Sequence, residues 1–175
     1  MPRFLRLPLL LLLGLAAGTA PASAQLDLDA LDRLFDEEPR VEVNVQGALL
    51  SLVAEASRED EPEFAEMVRN LRGVFVRQYT LSSARQDLTS RLSGLARSLE
   101  QSGWQTLVRV RDEEEETFVY LRPSGDVLSG LVVMALNRND DEATFVSIDG
   151  LIDPAEIGRL GSRFNVDALE SVGEF

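Results

Sequence analysis

Apolar residues recur along this chain with two different periods, and each change of period marks a new element. Leu28, Leu31 and Phe35 fall on one side of a short helix over residues 29–36, which Pro39 ends. Val41, Val43 and Val45 alternate with Glu42, Asn44 and Gln46, the period of a half-buried strand. After Gly47 the period changes: Leu49, Leu52, Val53 and Ala56 sit at i, i+3, i+4 and i+7, so a helix built on that stripe follows. Pro62 suits a first helical position, and Phe64, Met67, Val68 and Leu71 repeat the helical spacing. Acids before this stripe and Arg69 and Arg72 at its end complement the helix dipole, Gly73 serves as its cap, and residues 74–79 read as a strand.

Ser83 and Gln86 form a capping-box pair ahead of a long helix with Leu88, Leu92, Leu95 and Leu99 on one stripe and Gly103 at its close. Four strand-like runs follow, over residues 104–111, 117–122, 127–136 and 143–148, joined by short polar turns that favour antiparallel hairpins. Residues 131–136 are apolar at both parities, which places them at the centre of a sheet. Asp153, Pro154 and Glu156 start a last helix that buries Ile157, Leu160 and Phe164. The order predicts an α+β fold: one domain, with a mostly antiparallel sheet of about six strands and helices packed on one face. A four-stranded meander and then a helix make up its C-terminal part.

The first 24 residues change the picture of where this domain works. Arg3 and Arg6 precede a leucine-dominated stretch from Leu7 to Ala17, and Ala22-Ser23-Ala24 fits a signal-peptidase site. The apolar stretch is shorter than the roughly 20 residues a spanning helix needs. The expected product is a single domain over residues 25–175, soluble after cleavage, in the bacterial periplasm or outside the cell, with no membrane insertion. Every one of the 17 basic residues is Arg; without Arg3 and Arg6, 15 face 30 acids, a net charge of −15. Such a balance argues against nucleic acid and against anionic membrane surfaces.

Cys, His and Lys do not occur in the chain. Disulfides, thiolate nucleophiles, Ser-His-Asp triads, Schiff bases and the usual zinc sites are therefore excluded. Carboxylates, hydroxyls, Arg and backbone amides remain. They suit contact-making, hard cations or a carboxylate acid/base pair. No cofactor is expected. The leading expectation is an exported, non-enzymatic binding or interaction domain whose partner is an envelope protein or a small ligand. A carboxylate-dependent hydrolase of envelope glycans and a cation-binding envelope protein are the alternatives.

Several stretches resemble the bacterial domain-of-unknown-function family numbered 4252. They are Leu34-Phe35, the strand-to-helix unit over residues 41–54, Leu71-Arg72-Gly73-Val74-Phe75-Val76, and the run from Ser102-Gly103-Trp104 to Ile148-Asp149-Gly150-Leu151-Ile152-Asp153. The resemblance spans residues 26–163 and is one of pattern and order. It implies a small exported bacterial protein and assigns no activity, cofactor or catalytic residue, so no site is carried over. The absence of Lys departs from many relatives.

Four groups of residues bear on chemistry. The acidic run over residues 112–116 reads as a solvated hairpin tip, because a straight run of acids does not converge on a cation. Residues 137–142 resemble a calcium loop only loosely and read as a turn, and Asp149-Gly150 and Asp153 read as a turn and a helix cap. The fourth group holds Trp104, Phe118, Tyr120, Arg109, Arg111 and Arg122 on the first two meander strands. Trp104 shares its parity with Val108 and Val110 and is assigned to the core. Tyr120, Arg109, Arg111 and Arg122 are assigned to an open face, which either takes an acidic or extended ligand or pairs its arginines with acids on neighbouring strands.

Overall fold

A computed structural model describes residues 28–84 and 86–153. The leader and the last helix expected from the sequence, with Ile157, Leu160 and Phe164, lie outside the described residues. The elements run α1 (Leu28–Asp32), β1 (Val41–Gln46), α2 (Ala48–Ala56), α3 (Pro62–Arg69), β2 (Leu71–Thr80), a 3-10 turn (Leu81–Ser83), α4 (Leu88–Gln101), β3 (Gln105–Arg111), β4 (Glu115–Ser124), β5 (Val127–Asn137) and β6 (Glu142–Ile152). The fold is α+β. All six strands form one antiparallel sheet in the order β1-β2-β6-β5-β4-β3. After β2 the chain crosses through α4 to the far edge, then returns strand by strand until β6 closes against β2.

Helices pack on both faces of this sheet, not on one. Leu50 and Ala54 of α2 and Met67 and Val68 of α3 join Val74, Val119, Leu131, Val133, Val146 and Ile148 in one core. Leu31, Leu34 and Phe35, with Leu88, Leu92 and Leu99 of α4, join Tyr79, Phe118, Tyr120, Val132, Met134 and Phe145 in a second. The two cores use opposite parities of the same strands, so they lie on opposite sides. β5 explains why: its apolar run at both parities would leave one row wet if only one face were covered.

Three local expectations are corrected as well. Gly73 lies inside β2, and Asn70 is the residue that caps α3. Ser83 is spent in the 3-10 turn, where its hydroxyl donates to the Thr80 carbonyl, and α4 starts after Asp87 instead of through a Ser83–Gln86 box. Asp149 and Gly150 form part of β6 rather than a turn. There the strand passes so close to β2 that a Cβ on Gly150 would stand 2.5 Å from the Leu71 Cα, and φ is 142°. Only glycine fits both conditions.

Candidate functional site

The long crossover helix α4 decides what the sheet can present. Leu88, Leu92 and Leu99 anchor it to the second core. Its neighbouring flank carries Thr89, Ser93, Ala96, Arg97 and Glu100 toward β3. Between that flank and the strands lies a cleft of about 310 Å³, floored by Leu92, Phe118 and Met134 and walled by Arg109, Arg111 and Glu116.

Charged pairs frame this cleft. Arg109 stands opposite Phe118 and Arg111 opposite Glu116 in the β3–β4 register. The Arg109 Nη2 donates to the Glu100 Oε1 at 3.2 Å, tying β3 to α4. Arg111 Nε donates to Glu116 Oε2 at 3.2 Å, and Arg138 Nη2 donates to the other oxygen at 2.6 Å. Both β3 guanidinium carbons sit over the Phe118 ring, at 5.8 and 5.6 Å from its centroid. Arg97 lines the cleft and has no carboxylate partner among the described residues. The cleft thus offers an apolar floor, the Arg109–Glu100 pair, Glu116 held by two arginines, and Arg97.

The four residues expected to share an open face do share a parity, but the helix divides them. Tyr120 is completely buried beneath the second core, with its hydroxyl unpartnered among the described residues. Arg109 and Arg111 reach the cleft. Arg122 lies elsewhere, over the Trp104 ring at 5.4 Å, with its Nε donating to Ser129 Oγ at 2.8 Å. Trp104 is core, as expected, but on the side opposite Val108, because a bulge between Thr106 and Val108 resets the parity.

The acidic groups are mostly spoken for. Asp112 accepts from the backbone N–H groups of Glu114 and Glu115, and these bonds hold its carboxyl below the usual Asp range. Glu116, at the end of the same run, is buried between Arg111 and Arg138 and is not part of a solvated tip. Residues 137–142 form a turn in which the Asn137 side-chain oxygen accepts from Asn139 and Asp140, and the Asp141 carboxylate accepts from Ser82. Asp149 accepts from Arg72 Nε and Nη2 at 2.8 and 2.6 Å, and that bond raises the Arg72 pKa against the desolvation that lowers it. Among the described residues no three acids converge in a metal-binding group.

A second cleft, of about 460 Å³, lies between α1 and β1–β2 and is ringed by Asp32, Asp36, Glu37, Glu38 and Glu42 around Arg77. Arg77 is buried; its Nη2 meets Glu42 at 2.9 Å and its Nε lies 3.8 Å from Asp32. Tyr79, beside it, donates its hydroxyl to Asp32. These contacts fasten α1 and β1 to the sheet.

Arg97, Glu100, Glu116 and Arg138 belong to this site without being marked as one group by the sequence. The available signal was the stripe Thr89, Ser93, Ala96, Arg97, Glu100 beside the leucine stripe, a small and polar flank at helical spacing.

The model of the family described as a domain of unknown function (DUF4252) matches residues 35–160. Comparison with curated proteins and with solved structures returns no match.

Proposed function

Because the chain belongs to the DUF4252 family, whose description carries no activity, we propose its role from the residues alone: an exported, non-catalytic binding domain of the bacterial cell envelope. The leader over residues 1–24 supports export. The observation that carries the binding reading is the cleft between α4 and β3, where Arg97 has no carboxylate partner among the described residues and lies beside an apolar floor of Phe118 and Met134. A few fixed polar groups around an apolar floor is the usual make-up of a small-ligand site. Its chemistry suits a ligand with one anionic group and an apolar body. The anion would meet Arg97, and the body would lie against Phe118, beside the Arg109 and Arg111 guanidiniums over its ring.

A panel of short alkyl carboxylates, alkyl phosphates and aryl carboxylates, titrated against the purified chain by NMR, tests this. The expected result is saturable binding by part of the panel, with shifts confined to α4, β3 and β4. Arg97→Ala should weaken that binding about tenfold, the loss of one charge-assisted hydrogen bond. Absence of saturable binding, or binding that Arg97→Ala leaves unchanged, would remove the reading.

One observation favours a second reading, a carboxylate-dependent glycan hydrolase: Glu100 and Glu116 line the same cleft. An acid/base pair needs one carboxyl able to give up a proton. Here each carboxylate already accepts from arginine. Turnover of an envelope glycan that Glu116→Gln abolishes while the fold survives would establish the hydrolase and displace the binding reading.

A further inference from the structure

The helix α2 is apolar on more than the face it buries. Leu50 and Ala54 point into the first core, while Leu49, Leu52 and Val53 are 54%, 66% and 38% exposed. At about 100° per residue, Ser51 and Glu55 flank the buried line on one side, and Leu49 and Val53 flank it on the other. Glu55 reaches Arg69 of α3 at 3.8 Å, so the Ser51–Glu55 flank faces α3. The flank with Leu49 and Val53 therefore faces away from α3, over the outer edge of the sheet.

That edge is β1, which among the described residues pairs with β2 alone. Val45 packs into the same core as α2, so by alternation Val41 and Val43 point to the α2 side, and Val41 is 41% exposed. An unpaired strand edge and an apolar stripe thus adjoin. Soluble chains blunt such edges with charge, proline or bulges. The other edge strand, β3, carries a bulge and two arginines; β1 has no bulge, and its one charge, Glu42, lies on the face opposite its valines and is paired with Arg77.

We propose that β1 and the outer flank of α2 form a self-association surface, and that the occupant is a second copy of this chain. The sequence of β1 is suited to itself. Antiparallel pairing about a two-fold axis at Val43 sets Val41 against Val45 of the other copy and Val43 against Val43. On the opposite face it sets Glu42 against Asn44, so no like charges meet. The same axis brings the two α2 flanks together over the valines. Two six-stranded sheets become one continuous sheet, and both exposed stripes are buried.

Sedimentation equilibrium of the purified chain at tens of micromolar should give twice the chain mass. Leu49→Glu, on the flank over β1, should weaken association about tenfold or more with an unchanged circular dichroism spectrum. A single cysteine tests the register even where a charged variant fails to fold, since the chain has no other Cys. Val43→Cys should form a disulfide between copies under mild oxidation, because directly opposed strand residues lie within bridging distance. Val110→Cys on β3 should not. A monomeric wild-type chain, a dimer indifferent to Leu49→Glu, or cross-linking through position 110 but not 43 would each overturn the proposal.

Discussion

Tyr79 loses all solvent contact on folding, and its ring stacks on Phe35 with centroids 4.0 Å apart. Burial first, and then the bond to the Asp32 carboxylate, push its pKa well above the usual tyrosine value. A group whose folded pKa is raised contributes stability below its unfolded pKa, near 10, and loses it as pH rises further. The melting temperature should therefore fall on the alkaline side of about pH 10. Tyr79→Phe should cost about 1 kcal/mol at neutral pH and make that alkaline fall shallower; melting curves from pH 7 upward measure both. Gly130 makes a different point. A Cβ there would stand 2.7 Å from the Trp104 ring, so Gly130→Ala should cost about 1–3 kcal/mol by forcing the ring off its site. The near-ultraviolet dichroism of Trp104, the one tryptophan in the chain, reports that displacement.

At the scale of elements, α2 separates burial from periodicity. Leu50→Ala should destabilise the chain by about 2–4 kcal/mol, while Leu52→Ala should change it by less than about 0.5 in the monomer. Chemical denaturation of both variants measures the contrast, at a concentration below that of association. The sequence pattern alone suggested the reverse, because Leu49, Leu52, Val53 and Ala56 make the longer helical stripe. Periodicity shows that a helix has an apolar side; it does not show which neighbour covers it. The same limit applies to Tyr120, whose parity was legible but whose cover, α4, was not. Strands were easier. Alternation marked β1 as a strand, and the doubly apolar run in β5 placed that strand within the sheet. Bulges were hidden: the one before Val108 moved Trp104 to the other face, and the one near Gly150 turned a supposed turn into strand. The candidate cleft was half legible. Arg109 and Arg111 stood out, but Glu116 looked like one acid among five until Arg138, 22 residues away, closed over it.

At the scale of the whole molecule, charge and cover work against each other. A formal charge of −13 repels itself at long range. Most of the ion pairs involve at least one largely exposed side chain and are worth little singly. Moderate salt screens the repulsion more than it harms these pairs, so the melting temperature should rise between about 0.05 and 0.3 M sodium chloride. A fall would mean that the pairs dominate. The sheet itself is covered on both faces by helices, and the candidate cleft lies between α4 and β3. The proposed ligand binding is placed at that seam. Its most direct test is capture from bacterial envelope extracts on the immobilised chain, beside a variant with Arg97 and Arg111 both changed to Glu. The wild-type chain should retain a defined small anionic ligand, identified by mass spectrometry, and the variant should not. Retention of nothing specific, or equal retention by both, would contradict it.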